Sequence, residues 1–189
     1  YISKRQSCII MAKDIPDGFL IVDDRENDKV IHKLIMRLGD AKTDPEGKVW
    51  VTRLKTGDYI IDDWIIEAKE INDLAKSITG QGRSRTIAAQ LRDMCNFAEK
   101  KKMVPWLTVY GQTTDLKPWV ARRFGKGKKR SMAQDKTIAK VRMKNKIKTF
   151  KKSYCLRFPT CSYFQLETMD DFVEWLVESY TQKIILESL

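Results

Sequence analysis

The sequence predicts a single α/β domain, and three observations carry that expectation. At 189 residues and 22.0 kDa the chain can bury one real core but not two large ones. Its apolar residues switch between the two-residue period of strands and the 3.6-residue period of helices, in the order strand, helix, three strands, two helices, strand. Composition is ordinary for a globular protein at 42% apolar, and no run of about 18 apolar residues exists to span a membrane.

The first strand is read from "GFLIVDDRE", apolar from Phe19 to Val22 and then abruptly acidic, which suits a buried strand delivering Asp23, Asp24 and Glu26 to its C-terminal end. Asn27 caps a helix whose stripe is Val30, Ile31, Leu34, Ile35 and Leu38, and Gly39 ends it. "KVWVTRL" and "DYIID" alternate like neighbouring strands with Gly57 at the turn. "WIIEAK" follows after a reversal at Asp62 and Asp63.

A short helix is expected from Asn72 to about Ile78, broken by "TGQGR" with Gly80 and Gly82. Ser84 is positioned to start a longer helix with Ile87, Ala88, Leu91, Met94, Cys95 and Ala98 on one face. "VPWLTVYG" reads as another buried strand. "RRFGKGKKR" has two glycines and no apolar period, and is expected to be a mobile loop. From about Lys140 a helix places Met143, Ile147, Phe150 and Tyr154 on one face and lysines on the other. "CLRFP" is a candidate last strand, and Thr168 with Asp171 makes a capping-box-like start to a helix carrying Phe172, Leu176, Tyr180 and Ile184.

The net charge of +11 is concentrated. Between Lys117 and Lys152 lie fifteen Lys or Arg and one acid, Asp135, whereas the other 21 cations and 24 acids leave the rest of the chain at −3. Such a block is the footprint of a surface that binds polyanions, because each cation near a phosphate releases condensed counterions. The alternative is a solvated basic arm or a nuclear import signal such as "GKGKKR". Cys8, Cys95, Cys155, Cys161 and the lone His32 form no zinc-ligand pattern. Without a signal peptide, reduced thiols inside a cell are expected, cytoplasmic or nuclear. Residues 1–17 read as an N-terminal extension, with Met11 a plausible start.

The chemistry sits in "GDYIIDDWIIEAKEIND". Side chains alternate across a strand, so Glu67 and Lys69 share one face and Ala68 points to the other. Asp58 arrives from the preceding hairpin strand, and Asp73 starts a helix beside the strand end. Carboxylates converging there repel one another unless a cation lies among them, and Mg²⁺ takes such oxygen ligands while keeping several waters. A metal so held would polarise a phosphoryl oxygen and activate water, with Lys69 orienting the nucleophile. On the residues alone, E-x-K is weak as a signature and reads first as a solvent-facing salt bridge. Nucleotide hydrolysis is excluded, because "FGKGKKRS" lacks the G-x-x-x-x-G-K-[ST] spacing.

The arrangement D-x(8)-E-x-K resembles the PD-(D/E)xK nuclease superfamily. In order along the chain, "VDDRE", "GDYII", "EAKEIND" and "SITGQGRSRTIAAQLRDM" resemble the XPF-type structure-specific endonucleases, the ERCC4 nuclease domain. That family reads V-D-x-R-E, G-D, E-R-K-x-x-x-D, then Ser-Ile, Gly-Arg and Gln-Arg. The matching residues are Asp23, Arg25, Glu26, Gly57, Asp58, Glu67, Lys69, Asp73, Ser77, Ile78, Gly82, Arg83, Gln90 and Arg92.

The resemblance implies a restriction-endonuclease-like core, a central mixed β-sheet flanked by helices over residues 18–189. It also implies Mg²⁺- or Mn²⁺-dependent cutting of DNA near flaps, forks or branches. Asp58 and Glu67 would be metal ligands, helped by Glu26. Asp23 and Asp73 would complete the acidic site, Lys69 would position the nucleophile, and Arg25 would steady carboxylates or phosphate. A structural ion pair is the alternative for Arg25 and Asp73. Phosphate contacts are expected from Arg83, Arg85, Arg122, Arg123, Lys126, Lys128, Lys129 and Arg130. Pairing with a second nuclease domain, the same or another, is expected too. Two departures stand out: Ala68 replaces the family's Arg, and no helix-hairpin-helix module is present. A non-catalytic DNA-binding scaffold is the competing class.

Overall fold

The computed structural model describes residues 18–79, 85–117 and 132–187. The N-terminal extension at 1–17, Gly80 to Ser84 and the glycine-rich basic stretch lie outside the described residues. The elements in order are β1 (Leu20–Asp23), α1 (Asp28–Leu38), β2 (Val49–Thr52), β3 (Tyr59–Ile61), β4 (Trp64–Glu70), α2 (Ile71–Thr79), α3 (Ile87–Lys101), β5 (Val104–Tyr110), a 3-10 turn (Thr113–Asp115), α4 (Met132–Arg157), β6 (Ser162–Leu166) and α5 (Met169–Glu187).

The strands form one mixed sheet ordered β2-β1-β3-β4-β5-β6. β1 runs parallel to β2 and antiparallel to β3; β3 and β4 make a hairpin; β4, β5 and β6 are parallel. The expectation that the strands of "KVWVTRL" and "DYIID" are neighbours fails, because β1 lies between them. Alternating patterns announce a strand without naming its partner.

Helices cover both faces, so β1 and β3 are buried on both sides and read as unbroken apolar runs. Ile65 of β4 packs with Leu74, Leu91, Met94, Ile147 and Phe150, the layer of α2, α3 and α4. Ile66 and Ala68 pack with Val30, Leu34, Phe172 and Leu176, the layer of α1 and α5. Glu67 and Lys69 alternate onto the first of these faces, as expected.

The helix ends follow local chemistry. Asn27 accepts from Lys29 N–H at 3.0 Å, and Gly39, at φ 74°, donates to the Ile35 carbonyl. α3 starts after Thr86, whose side chain accepts from Ala89 N–H, and not at Ser84. Thr168 and Asp171 make reciprocal bonds at the start of α5, as their spacing predicts. α4 runs unbroken through Arg157, so "CLRFP" is not a strand. Its apolar stripe continues to Tyr154, and the chain turns only at Phe158 before β6.

Candidate active site

Gly57, at φ 73°, brings the chain so close to β4 that a Cβ there would lie 2.8 Å from Ile65 Cγ1. Asp58 is then fixed from three sides. Its N–H donates to the Ile66 carbonyl at 2.7 Å, its carbonyl accepts from Asp23 N–H at 2.8 Å, and its Oδ2 accepts from Ala68 N–H at 2.8 Å. The Lys69 ammonium stands 2.6 Å from Glu67 Oε1 and 4.0 Å from Asp58 Oδ2. Glu67 is buried. Burial and the Glu67 charge push the Asp58 carboxyl well above the usual range, outweighing Lys69 and the Ala68 N–H. Burial would lower the Lys69 ammonium, but Asp58 and Glu67 raise it, so it stays charged.

Asp23 has another task. It is 1% exposed, and both its oxygens are taken by donors: Arg25 N–H and Nε reach Oδ1, each at 2.8 Å, while Arg25 Nη2 at 2.7 Å and Leu54 N–H at 2.9 Å reach Oδ2. Burial would raise its carboxyl, but these hydrogen bonds hold it below the usual range. Arg25 also donates to the Leu54 carbonyl at 2.9 Å, so the guanidinium is held rigidly at the mouth of the site.

Asp58, Glu67, Lys69 and Arg25 line one cavity of about 390 Å³ with Lys55, Arg85, Gln90, Asp93, Asn96 and Lys100. Gln90, Asp93, Asn96 and Lys100 are three or four residues apart, a polar stripe on α3 opposite its apolar one. That spacing is the signal in the sequence for Lys100 and Asn96, which belong to no motif. The Gln90 side-chain oxygen is buried without a hydrogen-bond partner among the described residues. Arg85 pairs with Asp93 at 2.6 Å.

Other expected site residues fall elsewhere. Asp73 is exposed, pairs with Lys76 at 2.7 Å and does not line the cavity, so the structural ion pair describes it. Glu26 is half-buried, accepts Asn27 N–H at 2.7 Å and reaches the carboxylate pair through its charge. Burial raises its carboxyl. Arg83, Arg122, Arg123, Lys126, Lys128, Lys129 and Arg130 lie outside the described residues.

Among the described residues no three carboxylates, imidazoles or thiolates are arranged around a metal ion. What remains is the Asp58 and Glu67 pair, with less positive charge beside it than its burial calls for. That donor set fits Mg²⁺, which takes one or two carboxylates and completes its shell with water and phosphate. No helix among the described residues is long and apolar enough to cross a membrane.

The solved structures similar to the chain include XPF from Aeropyrum pernix, 17% identical with a TM-score of 0.55 over 87% of this chain. XPF from Aeropyrum pernix in complex with DNA is 20% identical with a TM-score of 0.48 over 86% of this chain. This chain covers 64% of the length of each. No curated protein matches it by sequence. The ERCC4 domain matches residues 22–179, nearly the whole described fold, with the Asp58, Glu67 and Lys69 cluster inside it. On that match the chain belongs to the ERCC4 domain family, and its six-stranded sheet has a fold like that of XPF, a restriction-endonuclease-like core.

Proposed function

We propose that the domain is a divalent-metal-dependent endonuclease that hydrolyses phosphodiester bonds in DNA, with preference for flaps, forks or branches. The observation that carries this reading is the pair of half-buried Asp58 and buried Glu67, with Lys69 beside it, in a cavity also lined by Arg25, Lys55, Arg85 and Lys100. Asp58 and Glu67 would hold Mg²⁺, or Mn²⁺ in its place. Such an ion supplies charge neutralisation at the phosphoryl oxygens and a more acidic water.

The residues do the rest. Lys69 keeps its proton between two carboxylates and orients a water or a phosphate oxygen by donating to it. Arg25, clamped by Asp23 and the Leu54 carbonyl, presents its guanidinium to a phosphate without further ordering. Lys55, Arg85 and Lys100 add cationic surface for the flanking strand. The Ala68 side chain packs in the opposite core, so its replacement of the family's Arg leaves the acidic face intact. Such cutting serves DNA repair or recombination inside a cell, and pairing with a second nuclease domain is part of the same proposal.

A non-catalytic scaffold draws on one observation, the Lys69 ammonium already placed between the carboxylates. Cleavage of flap, fork, four-way-junction and linear DNA in Mg²⁺, Mn²⁺ or EDTA, beside Asp58→Asn, separates the two. Metal-dependent cutting lost in the variant, with DNA binding retained, supports the nuclease. Binding without cutting in either metal supports the scaffold.

A further inference from the structure

The cations of α4 follow a pattern that the cavity does not use. From Lys136 to Arg157 the helix has nine Lys or Arg and no acid. Its apolar face, Met143, Ile147, Phe150 and Tyr154, is buried, and Arg142, Lys144, Lys146, Lys148 and Lys152 are exposed. Lys140, Lys144, Lys148 and Lys152 are four apart and so form one row about 18 Å long at ~1.5 Å per residue.

Like charges at that spacing destabilise a helix. Elsewhere on the described surface Lys33, Arg37, Lys76, Arg85 and Lys183 sit on carboxylates, while Lys29, Arg92 and Lys101 do not but have acids on their own helices; α4 has no acid from Lys136 onward. Arg142, Lys144, Lys146, Lys148 and Lys152 have no ion pair with any described residue. α4 rests on α2 and, through Tyr154 and Lys151, on β6; none of its described side chains lines the cavity.

We infer that the exposed face of α4 is a second nucleic-acid surface, one that tracks the phosphate backbone of a DNA duplex arm away from the cut. It deepens the nuclease reading and rests on it only for the identity of the polyanion as DNA. Row neighbours are about 6 Å apart along the axis, close to two phosphate steps of ~3.4 Å on one strand. Single strands are gripped by stacking on aromatic side chains, and the aromatics of α4, Phe150 and Tyr154, are buried. A lipid surface would need an apolar face to insert; the apolar stripe of α4 is packed in the core, and its exposed Val141 and Leu156 are about 22 Å apart at ~1.5 Å per residue, too far to form one.

The test is binding in EDTA, so that cleavage plays no part, across a salt series. Ligands are a blunt duplex, a single strand of equal length and phosphatidylserine vesicles. One variant combines Lys144→Gln, Lys148→Gln and Lys152→Gln; the control combines Lys29→Gln, Lys33→Gln and Arg37→Gln on α1, the same charge loss on the other face of the sheet. The slope of log affinity against log salt for duplex should fall by about 2.7 in the first variant, roughly 0.9 for each phosphate that is no longer neutralised. Affinity at about 0.1 M salt should drop more than tenfold, with the control near wild type. Equal losses in both variants, a preference of wild type for the single strand, or vesicle binding abolished by the α4 variant would each overturn the inference. Duplex binding that depends on α4 in a protein that cuts nothing would leave it standing and remove the nuclease reading instead.

Discussion

Replacing Asp58 by Asn removes one charge and almost no volume, and its consequence runs opposite to most buried substitutions. In the folded protein burial and Glu67 raise this carboxyl well above the usual range, although Lys69 attracts it from 4.0 Å. That attraction is worth about 4 kcal/mol gross at an effective dielectric of ~20, so the opposing desolvation and repulsion are larger still. As pH rises from the ordinary carboxylate value through the folded value, the folded state keeps a proton that the unfolded state has lost. Stability falls across that window, and above the folded value the whole cost is present. The Asn variant escapes it, and its side-chain oxygen still accepts the Ala68 N–H.

Calorimetry in EDTA should therefore give the Asp58→Asn protein a higher Tm than wild type. Mg²⁺ reverses the order. At ~100 times its Kd a ligand adds about 2.7 kcal/mol, which for a domain of this size raises Tm by roughly 5–11 °C. Wild type should show that rise and the variant should not. A variant that melts lower in EDTA would mean that Asp58 is held more by Lys69 than it is strained by Glu67. A variant stabilised by Mg²⁺ as much as wild type would place the ion elsewhere.

Asp23→Asn should be destabilised by about 3 kcal/mol, a Tm lower by roughly 6–12 °C, because an amide cannot accept all four donors and turns an N–H toward Arg25. The folded Asp23 carboxyl is depressed, so its stabilisation is complete above the ordinary carboxylate value and is lost as pH falls through the folded value. Melting curves of wild type and variant should converge in acid, and a constant gap would remove Asp23 as the cause. Ala68→Arg, which restores the residue of the family motif, should cost more than about 3 kcal/mol in thermal unfolding, since Ala68 is 6% exposed within the core around Tyr110 and Phe172. An unchanged Tm would show that this core has room for the longer side chain.

Local pattern was enough for much of this molecule. The alternation in "WIIEAK" placed Glu67 and Lys69 together and Ala68 opposite, and the stripe from Val30 to Leu38 with Asn27 and Gly39 marked α1 to its ends. Where local pattern falls short, packing decides. "CLRFP" is a candidate strand by its local residues, yet Leu156 is 87% exposed on a helix that runs to Arg157. Asp23 and Asp73 looked alike as acids at element ends. One is enclosed by Arg25 and Leu54, and the other faces solvent beside Lys76.

By itself the sequence determined the elements as far as β5, the charge asymmetry and which residues of β4 share a face, because periods of 2 and 3.6 residues are geometric properties of a short stretch of backbone. Only the tertiary structure decided that β1 lies between β2 and β3, that Asp23 anchors Arg25, and that Gln90, Asn96 and Lys100 line the same cavity as Asp58. Those are pairings between segments distant along the chain. They are settled by which faces can be buried together and which buried charges find partners, and neither is written in any local run of residues.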